Sequence, residues 1–274
     1  MVSQFRETAA FLAEHGIPDA EFDARCIIEQ VTGQKLETVR DISPAAAEQI
    51  QEMAVRRITG QPLQYILGEW EFFGMRLFVG EGVLIPRPDT EILVETVLEF
   101  CKNRRNPRIL DLCTGSGCIA LALQKHLPSA EVHALDISET ALAYARKNAA
   151  YHKLPVKFHQ ADVREPQHFG KFDIIVSNPP YLTSDEMTQL QTEIQFEPAL
   201  ALAAGSDGLC FYRDITRLWK HALSSGGLLA FEIGEQQGNA VSGLLADQDF
   251  CGICVMQDYA HHDRVVIGQV LNVS

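Results

Sequence analysis

From residue 107 onward, short apolar runs alternate with amphipathic stretches, and this alternation leaves few folds open. Residues 108–112, 132–136, 156–161, 172–177, 227–233, 251–257 and 265–270 read as strands. Residues 119–126, 138–151, about 209–224 and 235–246 carry helical spacing between them. Strands that alternate with helices imply a parallel sheet covered on both faces. In such α/β sheets ligands bind beyond the carboxyl ends of the strands, so residues with chemistry are sought just after a strand.

The first 70 residues are of another kind. Phe5, Ala9 and Leu12 share one helical face, and Gly16 and Pro18 end that run. Asp19 can cap a second helix that turns Phe22, Cys26 and Ile27 inward and stops at Gly33. Ser43-Pro44 opens a third helix carrying Ile50, Met53, Ala54 and Ile58, which Gly60 ends. Residues 1–71 thus read as a small helical domain. Residues 72–90 read as a hairpin and connector: 72–79 are aromatic, glycine-punctuated and roughly alternating, and Pro86 and Pro88 stiffen the segment 84–91. Asp89 or Thr90 can cap a helix over 91–101. Residues 91–274 form the α/β domain.

Charge narrows the class of partner. With 23 basic and 36 acidic residues the net charge is −13. The helical part holds 6 basic and 12 acidic side chains and the remainder 17 and 24, so neither part is a basic arm. Binding to nucleic acid rests on cations meeting phosphates, so no direct nucleic-acid partner is expected. No run is long and apolar enough for a membrane span, and the N-terminus lacks a secretory pattern. A cytoplasmic protein is expected, its seven scattered cysteines reduced.

Two loops carry the chemistry. Asp111-Leu-Cys113-Thr114-Gly115-Ser116-Gly117 follows a strand and opens a helix, so close backbone approach and helix-start N–H groups are on offer. Nineteen residues after Gly117, Asp136 ends the next strand, where an acid can hold both hydroxyls of a ribose. The plainer alternative is a tight turn and a helix cap. Ala120 stands where the dinucleotide fingerprint has its third glycine, which leaves NAD open. Asp111 suits a cationic amino group better than a pyrophosphate, which favours S-adenosylmethionine.

The second loop is Asn178-Pro179-Pro180-Tyr181, after an apolar strand. Two prolines lock it and remove N–H donors, leaving the Asn178 side-chain oxygen and the Pro179 carbonyl as acceptors. Tyr181 adds a flat face and a hydroxyl. Such a site suits a planar amino group. As a bare dipeptide, Asn-Pro would be a turn starter. Cys251, Cys254, His261 and His262 resemble half a metal set, but a straight strand would point the two cysteines to opposite sides, and no metal is expected. Arg56-Arg57 reads as a solvated helix face.

Together these motifs resemble amino-group methyltransferases that use S-adenosylmethionine. Gln64-Tyr-Ile-Leu-Gly68, Phe73-Gly74, the segment 84–91, Phe196-Glu-Pro-Ala-Leu200, Gly205-Ser-Asp-Gly208, Glu232-Ile-Gly234 and Asp263-Arg264-Val265 resemble the release-factor glutamine methyltransferase family over nearly the whole chain. One departure is Cys113, where that family usually has glycine.

The resemblance implies a Rossmann-like seven-stranded sheet with its last strand antiparallel, and a helical N-terminal domain joined by a β-hairpin. It implies methylation of the side-chain nitrogen of the glutamine in the Gly-Gly-Gln loop of peptide chain release factors. It implies that Cys113 to Gly117 cradle the cofactor, that Asp136 holds its ribose and that Val163 lies beside its adenine. Asn178 touches cofactor and substrate, Pro179 to Tyr181 complete the amide site, and Arg87 and Glu91 line the pocket. Alternatives are a methyltransferase for a nucleic-acid base, one for a glutamine of a ribosomal protein, and a dehydrogenase or non-catalytic nucleotide-binding module.

Overall fold

A computed structural model describes residues 3–165 and 168–271, so residues 1–2 and 272–274 of the expected first and last domains lie outside the described residues. The chain forms two compact units, one of Met1–Trp70, Val79–Glu81 and Gln191–Phe196, the other of Glu71–Phe78, Gly82–Leu190 and Glu197–Ser274.

The first unit is helical: α1 (Ser3–Glu14), α2 (Ala20–Thr32), α3 (Pro44–Ile58) and the single turn α4 (Leu63–Leu67). The Ser43 hydroxyl accepts from the Ala46 amide, and Gly33 ends α2 in the left-handed conformation, both as the sequence suggests. Asp19 stands at the start of α2, but its side chain makes no cap bond among the described residues, and a second expectation also fails. Phe22 is 52% exposed, and α2 buries Ala20, Asp23, Ala24, Ile27 and Ile28 instead. The reason is an ion pair: Arg57 Nε donates to Asp23 Oδ2 at 2.6 Å, both residues buried, and Arg57 also reaches Glu193. Burying Asp23 rotates the inward face of α2 away from Phe22. The same pair removes Arg57 from the solvated face expected for it, while Arg56 bonds Gln61.

The second unit is an α/β sandwich. Strands β1 (Glu69–Phe72) and β2 (Met75–Phe78) make a hairpin that turns at Phe73 and Gly74, both with positive φ. Helix α5 (Thr90–Cys101) follows. Then come β3 (Arg108–Leu112), α6 (Cys118–His126), β4 (Glu131–Asp136), α7 (Glu139–His152), β5 (Lys157–Gln160) and β6 (Phe172–Ser177). The chain closes with α8 (Cys210–Trp219), β7 (Leu223–Glu232), α9 (Gly238–Ala246), β8 (Cys251–Gln257) and β9 (Asp263–Gln269).

The sheet runs β5-β4-β3-β6-β7-β9-β8. Strands β3 to β7 are mutually parallel, and the last strand, β9, is antiparallel to both its neighbours. This is the Rossmann-like methyltransferase sheet that the resemblance implied. One apolar layer packs α5 and α6 on one face, and a second packs α8 and α9 on the other.

Register defines where a site can form. Leu112 pairs with Leu135 and with Ser177, and Ser177 pairs with Phe231. Cys113, Asp136, Asn178 and Glu232 therefore stand side by side along the carboxyl edge of β3, β4, β6 and β7. In β8 an extra residue at Gly252 shifts the register, so that Cys251 and Cys254 oppose Gln269 and Ile267. The bulge puts the two cysteines on the same side of the sheet, not on opposite sides as a straight strand would.

Candidate active site

A cleft of about 970 Å³, open mouth included, lies at this edge. Cys113, Thr114, Gly115 and Ser116 line it, together with Asp136 and Asp162 and with Asn178 and Pro180. Leu135, Ile137, Val163, Leu200 and Phe211 add apolar surface. Val163 is held from behind, since its carbonyl accepts from the buried Trp219 indole at 2.7 Å.

Two carboxylates help fix the loop after β3. Asp136 Oδ2 accepts from the Gly115 amide at 2.8 Å, and its Oδ1 accepts from the Ser138 amide at 2.9 Å. Burial raises the Asp136 carboxyl above its ordinary value, against these amide bonds. Asp111 does not line the cleft. It is fully buried beneath the loop, with Oδ2 accepting from the Thr114 hydroxyl at 2.5 Å and Oδ1 without a hydrogen-bond partner among the described residues. Desolvation pushes it up to about 7.

Gly117 is also off the wall. A Cβ there would come 3.1 Å from Ala145 and 3.3 Å from a Leu121 methyl, so this glycine permits the close packing of α6 on α7. Cys113 lines the cleft with a φ of 60°, a left-handed conformation that glycine would adopt freely. Burial raises its thiol far above the ordinary range, so it is a packed, inert thiol.

The turn after β6 divides its roles. Asn178 lines the cleft, and its Nδ2 donates to the Thr90 hydroxyl at 3.4 Å. Pro180 lines it too, whereas Pro179 and Tyr181 do not. Tyr181 packs toward Gly234 and α8, and its carbonyl accepts from Gln237 Nε2 at 3.1 Å. Desolvation pushes its phenol up to about 12, so it stays protonated. Of the two connector residues, Arg87 lines the cleft and pairs with the buried Glu197. Glu91 does not: its Oε1 accepts from the Phe73 amide at 2.8 Å and braces the hairpin turn.

Comparison with known proteins decides the family. The chain matches the Methyltransferase small domain over residues 88–205 and the PrmC N-terminal domain over residues 4–68. It is 39% identical over 278 residues to a release factor glutamine methyltransferase of Fusobacterium nucleatum, an overlap of 97% of this chain and 77% of that protein. Its identity with the protein of that name from Thermodesulfovibrio yellowstonii is 45% over 233 residues, 84% of each chain. The chain belongs to the release factor glutamine methyltransferase family. A solved methyltransferase from Pyrococcus furiosus superposes with a TM-score of 0.55 at 18% identity, over 73% of this chain and 91% of that one, which shows a shared fold.

Sequence reasoning missed several groups around this family's loops. Glu197 holds the connector by accepting from the Ile85 amide at 2.9 Å and by its pair with Arg87. Asn148 is fully buried and bridges the Phe78 backbone to the Ser116 carbonyl, tying the hairpin to the first loop. Thr90 and Glu232 lie buried beside Asn178. Both glutamates stand inside motifs shared with the family, but only burial reveals what they hold.

Proposed function

We propose that the chain transfers a methyl group from S-adenosylmethionine to the side-chain amide nitrogen of the glutamine in the Gly-Gly-Gln loop of peptide chain release factors. The observation that carries this reading is Asn178. It stands on the cleft wall next to the loop after β3, with its amide nitrogen turned to Thr90 and its oxygen left for a ligand.

The wall fits S-adenosylmethionine better than a dinucleotide. The Gly115 amide that a phosphate would use is taken by Asp136. Both arginines on the wall are already paired, Arg87 with Glu197 and Arg164 with Asp162. Two carboxylates, Asp136 and Asp162, face a cleft that would hold a cation, and none of this suits a pyrophosphate. Val163, Leu135 and Phe211 offer flat apolar surface for an adenine. When bound, S-adenosylmethionine supplies the methyl group as an activated sulfonium.

The protein's own part is positioning and charge. Asp136 keeps lone pairs for the ribose hydroxyls after accepting its two amides. A carboxamide nitrogen is a weak nucleophile because its lone pair is delocalised. The Asn178 oxygen accepts one of its N–H groups, which aims the nitrogen and stabilises the positive charge that develops on it. Orientation of this kind supplies about 7–11 kcal/mol. This acceptor is not a base, so the proton departs to water after transfer.

The N-terminal helical unit would grip the release factor away from its loop, because one glutamine side chain offers little surface for recognition. A short Gly-Gly-Gln peptide should then show a higher KM than the intact factor. The main test is transfer of label from S-adenosylmethionine to purified release factor, to the same factor with its Gly-Gly-Gln glutamine changed to alanine, and to duplex DNA. Label on the intact factor alone is expected. Label on DNA alone would overturn the reading.

A further inference from the structure

The turn that carries Asn178 is backed by a group no sequence motif assigned. Glu232 ends β7 in the register position next to Asn178, and its side chain points to the face that carries α5. It is fully buried, and its Oε2 has no hydrogen-bond partner among the described residues. The Thr90 hydroxyl, on the first turn of α5, and the Asn178 amide both act on it to favour its charged form. Asn178 Nδ2 in turn donates to Thr90 Oγ1 at 3.4 Å.

We infer that Glu232, acting through Thr90, is a positioning residue that sets which way the Asn178 amide faces. This rests on the methyl-transfer reading above. An asparagine amide has two faces that differ only by a flip, and transfer needs the oxygen toward the cleft. A hydroxyl that donates to Glu232 must present a lone pair elsewhere, and that lone pair takes the Asn178 N–H. The oxygen then has one place left to point.

Desolvation pushes Glu232 up to about 7, so the relay changes its sense near neutrality. Once protonated, the carboxyl donates to Thr90, whose hydrogen is freed toward Asn178 and no longer holds the amide in one orientation. Other groups also face Glu232: Asp89 ahead of α5, Arg264 on β9, Cys118 on α6, Tyr181 after β6 and Tyr212 on α8. Of these, Cys118 and Tyr181 are pushed up to about 12, and burial raises Tyr212 well above its ordinary value. Arg264 lowers Glu232 and Asp89 raises it, so these two act in opposite senses and burial is the main cause of its upward shift.

The test uses the full chain, labelled S-adenosylmethionine and intact release factor. Glu232→Leu should lower kcat about 10- to 100-fold, the size of a misplaced reacting group, with KM and cofactor Kd unchanged and Tm not lowered. Glu232→Gln keeps an acceptor for Thr90, so it should restore the high-pH kcat and abolish the rise of kcat with pH through about 7. Thr90→Val should cost about fivefold in kcat, the worth of one neutral hydrogen bond, and Thr90→Ser should restore it. Wild-type kcat in Glu232→Leu, or a loss shared equally by kcat, cofactor Kd and Tm, would overturn the inference while leaving methyl transfer in place. A wild-type chain that labels no release factor would overturn both.

Discussion

The loop after β3 and the turn after β6 lie on adjacent strands and line the same cleft, yet they are built differently. The first is a backbone device. Its shape comes from positive φ at Cys113, Gly115 and Gly117, and its key amide is held by the Asp136 carboxylate. The second is a side-chain device. Prolines fix its path, and its function sits in one amide whose direction a neighbouring strand controls. Each rests on one buried carboxyl pushed up to about 7, Asp111 below the loop and Glu232 beside the turn. Asp111 belongs to the strand that feeds its own loop, whereas Glu232 comes from the next strand over. The two turns should therefore fail in different ways when changed.

The largest effect is expected at the side-chain turn. Asn178→Ala removes the acceptor for the substrate amide and should lower kcat about 1,000-fold, the scale of losing a preorganised charge-stabilising group. Cofactor Kd should barely move, because the loop after β3 is untouched. Single-turnover kinetics with cofactor titration separates the two. Unchanged turnover would remove Asn178 from the mechanism, and an equal loss of cofactor affinity would erase the distinction between the turns.

The buried carboxyls come next. Glu232 is raised from 4.5 to about 7 and Asp111 from 3.8 to about 7. Between those values the folded chain binds more protons than the unfolded one, so stability is greatest at low pH and falls as pH rises through about 7. Each group costs up to about 3–4 kcal/mol by the top of that window. Glu232→Gln or Asp111→Asn should each flatten part of the slope in denaturant titrations from pH 5 to 8. A slope identical to wild type in both would mean that neither carboxyl is held neutral.

Much of this contrast was legible in the sequence, and the missing part has a common cause. Glycine spacing, Asn-Pro-Pro-Tyr and the strand–helix alternation are local signals, and they placed both turns and the order of elements. What they left out depends on residues far apart in the chain. Glu197 meets Ile85 and Arg87 across more than a hundred residues, Asn148 meets Phe78, and Glu232 meets Thr90. The Phe22 expectation failed for the same reason, since the Asp23–Arg57 pair that rotates α2 joins two separate helices. Asp111 and Gly117 were expected at the cofactor because a motif gives position along the chain but not depth below a surface.

At the backbone device, Asp136→Ala should weaken cofactor binding about 30-fold, in line with losing charge-assisted hydrogen bonds to a ribose and to the Gly115 amide. The kcat at saturating cofactor should stay close to wild type. Calorimetric titration of S-adenosylhomocysteine measures it without turnover. Wild-type affinity would show that the carboxylate serves only the loop.

The smallest effect is the most discriminating. Cys113 holds a φ of 60°, where an L-residue carries about 1–2 kcal/mol of steric strain. Cys113→Gly relieves that strain but adds freedom to the unfolded chain worth about 0.5–1 kcal/mol. It also removes a thiol packed in the apolar layer against α8 and α9. The strain relief should win narrowly, raising Tm by about 2 °C, with cofactor Kd and kcat unchanged. A backbone-built loop tolerates losing a side chain as long as its φ angles survive, whereas Asn178→Gly would leave the turn's path and remove its chemistry. If Cys113→Gly instead lowers Tm and weakens the cofactor together, the thiol is part of the wall, and the loop after β3 works through side chains as well.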